Sequence, residues 1–144
     1  MKTKQTKTGI WMDGREAIII DIVDHKTTER NIQSNVTFQQ PHGGYGGSDK
    51  HLAQDARPDD KYLRRQKKEM AVYFKEVIAA TRESDALVVM GPGEVKVLFA
   101  KAAQVDNTAT KPEKVLVEDR MTKNQLVAKV KTYFGETTRI TTSS

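Results

Sequence analysis

Seven consecutive residues, His42, Gly43, Gly44, Tyr45, Gly46, Gly47 and Ser48, hold four of the nine glycines in the chain. Without a Cβ, glycine reaches backbone angles closed to other residues and lets another backbone or a phosphate come close. Downstream, Arg57, Lys61, Arg64 and Lys68 recur at intervals of four, three and four, which lines them along one side of a helix with Arg65 beside them. The 61–68 run holds five cations and no acid. A bare loop mounted on a cationic helix suits a crowded, negatively charged site, and RNA is the ligand this chemistry suggests. Phosphate contacts from such a stripe give affinity without sequence choice and weaken with salt. His42 and Tyr45 offer rings for stacking on unpaired bases, and Lys50 adds a cation to the loop.

Other chemistries fit less well. A nucleotide P-loop ends in Gly-Lys-Ser/Thr at a helix start, whereas Lys50 comes late and the helix begins only near Pro58. The chain has no cysteine and only three histidines, His25, His42 and His51, without metal-ligand spacing, so neither a metal nor another cofactor is expected. A two-metal nuclease needs carboxylates from the first strand, the first helix and the end of the fourth strand. Here Asp13 sits in a turn, Glu69 is mid-helix, and the fourth strand ends in Met90-Gly91. Ser48 lies near His42 and His51 in sequence, but spacing alone makes no triad. Gly91-Pro92-Gly93 before a helix reads first as a strand-to-helix turn, with anion binding at the helix start as the alternative.

The elements that must position these residues are legible as patterns. Runs 9–12 and 16–23 read as strands joined at Asp13-Gly14, where a type I′ turn with two positive φ angles is expected. A polar connection over 24–35 leads to a third strand at 36–39. After the loop at 41–56, Pro58, Asp59 and Asp60 start a helix that runs to about Ser84, with Leu63, Met70, Phe74, Val77 and Ile78 as its apolar stripe. Strand 87–90, helix 94–103 and strand 115–117 follow. Thr122 and Gln125 form a capping box for a last helix carrying Leu126, Val130 and Phe134, stopped by Gly135. The order β-β-β-α-β-α-β-α, with strands and helices alternating at the end, implies a mixed sheet in a three-layer α/β domain of ribonuclease-H-like type.

Composition agrees with one soluble domain. The chain has 144 residues, 37% of them hydrophobic and 30% charged, with a net charge of +5. We expect a flexible tail at 1–8, a single domain at 9–135 and a polar tail at 136–144. No apolar stretch is long enough to span a bilayer or to follow the basic N-terminus as a secretory signal, so a cytoplasmic protein without a membrane partner is expected.

The glycine loop, followed by Arg64-Arg65 on a helix, resembles the middle domain of the eukaryotic and archaeal class 1 peptide-chain release factors. That family carries Lys-His-Gly-Arg-Gly-Gly-Gln-Ser before a long basic helix. Residues 87–96, an apolar run followed by Gly91-Pro92-Gly93 and then Lys96, are similar to the family's strand-turn-helix. The related Pelota family of ribosome-rescue factors shares the domain without the catalytic tripeptide. The resemblance covers most of 9–134. Aligned without a gap, His42, Gly43, Gly46 and Ser48 match, while Tyr45 and Gly47 replace a glycine and the glutamine. With one residue inserted, Gly46 and Gly47 match the glycine pair and Ser48 replaces the glutamine. Neither alignment restores Gly-Gly-Gln. The resemblance implies a ribosome- or tRNA-binding factor of translation or ribosome rescue. Gly46, Gly47 and Ser48 would then place water at a peptidyl ester, with backbone N–H groups facing the oxyanion. The alternatives are a non-catalytic protein or RNA interaction module of the same fold, and a small-molecule or nucleotide-binding domain using the 91–93 turn.

Overall fold

A computed structural model describes residues 5–37 and 57–135, with 57–60 described by backbone alone. Residues 1–4, the glycine loop within 38–56, and the polar tail at 136–144 lie outside the described residues. Strand β1 (Thr6–Met12) begins three residues before the expected start, so Thr6, Lys7 and Thr8 belong to the sheet rather than to a tail. It pairs antiparallel with β2 (Glu16–Val23) in a register that sets Met12 opposite Ala17 and Thr6 opposite Val23.

The hairpin between them forms as expected, but its turn does not. Among the described residues, positive φ occurs at Asp24, His25, Asn35 and Gly135, and neither Asp13 nor Gly14 is one of them. The Asp13 carboxylate Oδ1 instead accepts from the backbone N–H groups of Arg15 (2.9 Å) and Glu16 (3.0 Å), a side-chain-closed turn. The two-residue turn with both φ angles positive is Asp24-His25, at 56° and 68°. It leads into β3 (Lys26–Gln33), so the third strand lies within the expected polar connection; Val36 and Thr37 of the strand expected at 36–39 belong to no element, and 38–39 lie outside the described residues. Ser34 ends the hairpin by donating its Oγ–H to the Gly14 carbonyl at 2.6 Å. Val36, instead of extending a strand, packs against the core.

Helix α1 (Arg57–Ala80) then leads to β4 (Ala86–Gly91), α2 (Val95–Val105), β5 (Lys114–Val117) and α3 (Lys123–Tyr133). Helix α1 stops four residues before the expected end. The Thr81 hydroxyl donates to the Val77 carbonyl at 2.9 Å, and the chain turns through Ser84 N–H to Thr81 O. The element order is β-β-β-α-β-α-β-α, and the five strands form one mixed sheet in the order β3-β2-β1-β4-β5. Strands β1, β4 and β5 are parallel, and β2 is antiparallel to its neighbours.

Each face of the sheet carries its own core. On one side Ile10, Met12, Ile19, Leu87 and Val89 meet Tyr73, Phe74, Val77 and Ile78 of α1 and Phe99 and Ala103 of α2. On the other, Trp11, Ile20, Ile22, Val88 and Met90 meet Leu126 and Val130 of α3. Central strands covered on both faces need continuous apolar runs, which is why β2 and β4 read Ala-Ile-Ile-Ile and Leu-Val-Val-Met. Two glycines permit close approaches, Gly9 between sheet and α3 and Gly91 between the adjacent strands β4 and β1. A Cβ on Gly9 would lie 2.5 Å from Val130 Cγ2, and one on Gly91 would lie 2.1 Å from the Met12 carbonyl oxygen. No helix among the described residues is long and apolar enough to cross a membrane.

Candidate nucleic-acid interface

Of the residues selected from sequence, His42, Tyr45, Gly46, Gly47, Ser48 and Lys50 lie outside the described residues, as does the side chain of Arg57. Lys61, Arg64, Arg65 and Lys68 are exposed on α1, and Lys67 with them. At about 100° per residue, Lys61, Arg64 and Lys68 fall opposite the face formed by Tyr73, Phe74 and Val77, and Lys75 continues their line two turns on. Arg65 sits at the flank, with its Nε 3.6 Å from Glu69 Oε2. Lys61, Arg64, Lys67 and Lys68 make no ion pair within the described residues.

The position of this run follows from element lengths. Helix α1 has 24 residues and is about 36 Å long, whereas the strands have four to eight residues. The first buried residue of its described side chains is Tyr73. The Tyr73 hydroxyl donates to the carbonyl of Asp13, just past the end of β1, at 2.9 Å. The helix N-terminal to Met70, which still packs against the core, therefore extends beyond the end of the sheet where the parallel strands finish, the edge at which α/β sheets gather their ligands. This also corrects Leu63: it lies near the core-facing side of α1 but is 54% exposed, because no strand among the described residues lies beneath it.

The overhang is braced on its inner side by residues 34–37. The Thr37 N–H donates to Glu69 Oε1 at 2.9 Å, while the Tyr62 hydroxyl and the Gln66 amide donate to the Thr37 carbonyl. The described polar side chains of α1 without charge are thus turned inward, and Lys61, Arg64, Lys68 and Lys75 stand on the outer side. Burial, with the negative charges of Asp13 and Glu16 nearby, pushes the Tyr73 hydroxyl far up, so it stays protonated as a donor.

A second charged cluster stands at the ends of β1 and β5. The Trp11 indole N–H donates to the carbonyls of Glu118 (3.2 Å) and Asp119 (3.1 Å), and the Arg120 guanidinium lies 4.8 Å from the Trp11 ring centroid. Arg120 also pairs with Glu16 at 2.8 Å and Asp13 at 3.4 Å. Hydrogen bonds from Asn31, then from Arg120, hold the Glu16 carboxyl below its usual range, and the bond to Glu16 raises Arg120. Lys123 pairs with Glu29 at 2.8 Å and Lys129 with Glu118 at 3.1 Å. An open cleft lies beside this cluster, lined by Val117, Arg120, Met121 and Gln125 among others. Its cations are matched by acids, in contrast to Lys61, Arg64, Lys67 and Lys68 of α1 among the described residues.

The 91–93 segment is the strand-to-helix turn expected of it. Glu94 caps α2 without a side-chain hydrogen bond, and Lys96 is buried with its ammonium donating to the Gly93 carbonyl. Among the described residues no group of three or more His, Asp or Glu side chains converges as a metal site. Sequence reasoning missed the Trp11–Arg120–Glu16 cluster; its partners are more than 100 residues apart and carry no local pattern. Compared with models of known protein families and with curated proteins, the sequence matches none.

Proposed function

We propose that this chain is an RNA-binding protein of the cytoplasm that docks through α1. In its finer form it is a translation or ribosome-rescue factor with a ribonuclease-H-like middle domain of the release-factor type. The single observation that carries the RNA reading is the acid-free run at 61–68, exposed and almost unpaired, on the part of α1 that overhangs the sheet. The paired cations of α3 provide the contrast: among the described residues, Lys61, Arg64, Lys67 and Lys68 make no such ion pair. The sheet order β3-β2-β1-β4-β5 is compatible with the ribonuclease-H-like reading. Eight residues separate Ser48 from the start of α1, so an anchored helix would keep His42, Tyr45, Gly46, Gly47, Ser48 and Lys50 within reach of one ribosomal or tRNA surface. If an ester is cleaved there, backbone N–H groups supply the oxyanion contacts, because the glutamine of the family motif is absent.

The test is co-sedimentation with ribosomes at low and high salt, with the triple variant Arg64→Glu, Arg65→Glu, Lys68→Glu alongside. Salt-sensitive association abolished in the variant is the expected result; association unaffected by the reversal of charge removes the RNA argument. Peptide release from a loaded ribosome, lost on Gly46→Ala, separates the hydrolytic form from simple binding. A non-catalytic protein interaction module is the second reading. A groove between α1 and α2 favours it, lined by Ala71, Phe74, Ile78, Ala102 and Val105, the last of them 82% exposed.

A further inference from the structure

We infer that the ligand of α1 is duplex RNA, held by its phosphates and not by its bases; this inference rests on the RNA reading above. Lys61, Arg64, Lys68 and Lys75 lie within a narrow angular band on the outer side of α1 and extend over about 21 Å of its axis. A straight rod with fixed cations complements a ligand that is itself stiff and dense in charge.

What accompanies those cations decides between duplex and single strand. Binding of single strands depends on aromatic faces that stack on bases and offset the cost of ordering a flexible chain. No described aromatic residue is exposed. Trp11, Tyr73, Phe74 and Phe99 are buried, Tyr62 is turned inward to Thr37, and Tyr133 and Phe134 pack edge to face at 4.8 Å. The outer side of α1 from 61 to 79 is otherwise Ala71, Val72, Glu76 and Ala79, with no hydroxyl or amide to read a base edge or a 2′-hydroxyl. Its one amide, Gln66, is bonded to Thr37 and Tyr62. Against a duplex the arginines read no base edges, because the major groove of A-form RNA is too deep and narrow for side chains. A surface of this composition senses charge density and rigidity, and a duplex exceeds a single strand in both.

The experiment uses the intact chain and two RNA probes with equal numbers of phosphates: a hairpin of about 16 base pairs and an unstructured polyuridine strand. Affinities are measured by fluorescence anisotropy between about 50 and 200 mM salt. Duplex binding tighter by about tenfold or more, with a log–log salt slope of about −3 to −4 for four neutralised phosphates, is expected. The variant Lys61→Glu, Arg64→Glu, Lys68→Glu, Lys75→Glu should lose at least about tenfold in duplex affinity with an unchanged circular dichroism spectrum. A hairpin of scrambled sequence should bind equally well. Single strand bound as tightly as duplex, or within that tenfold, overturns the duplex assignment and leaves the RNA reading standing. Failure of both probes to bind at the lowest salt overturns the two together.

Discussion

Glu16 occupies a position where three elements meet. It follows the β1–β2 turn, accepts from Asn31 of β3 at 2.8 Å and pairs with Arg120 beyond β5. Its carboxyl titrates below the ordinary value of 4.5, first through Asn31 and then through Arg120. A carboxyl depressed in the folded state contributes stability that is complete above the unfolded value and is lost as pH falls through the folded one. Urea unfolding at a series of pH values should therefore show the native protein weakening below about pH 4.5. Glu16→Gln should be less stable at pH 7, and the gap between the two should close toward pH 3. A gap that stays constant with pH would remove the ion pair as its cause. Arg120 links this site to Trp11, so one guanidinium ties the hairpin turn to the β5–α3 connection.

Among the elements, those with a periodic apolar pattern were legible in sequence and those without it were not. Strands β1, β2 and β4 are central and continuous, and the helices α2 and α3 carry their stripes at helical spacing. The capping box read at Thr122 and Gln125 is present in both directions, at 3.1 and 2.9 Å. Thr122→Ala removes the acceptor for the Gln125 N–H and should cost about 1 kcal/mol, read as a lowered urea midpoint at unchanged slope. Strand β3 escaped because it is an edge strand, Lys-Thr-Thr-Glu-Arg-Asn-Ile-Gln, held by backbone pairing and by polar cross-strand contacts such as Arg30 with Asp21 at 2.7 Å. Its turn, Asp24-His25, adopts the angles usually given to glycine without containing one. Asp13-Gly14 has the glycine but closes through the Asp13 side chain instead. The cation run of the candidate site could be read directly, since charge spacing along a helix needs no tertiary knowledge. That it projects past the sheet could not, because the overhang depends on where β1 ends relative to Tyr73.

At the level of the whole molecule, the described part divides into a sheet packed on both faces and a helical arm whose described side chains before Tyr73 are partly buried at most. Its 61–68 stretch opens locally at less cost than the stretch from Tyr73 to Ala80, since fewer buried contacts must be disrupted. The peptide bonds after Lys61, Arg64, Arg65, Lys67 and Lys68 are all of the type trypsin cleaves, and they coincide with the surface assigned to the ligand. Brief digestion should cut the free protein within 61–68 before it cuts the stretch from Tyr73 to Ala80, as mass spectrometry of the fragments would show. Bound polyanion should shield those same bonds and leave cleavage at the remote Lys101 unchanged. The arm thereby carries its own footprint: the sites a protease reaches first are the sites an occupied molecule should withhold.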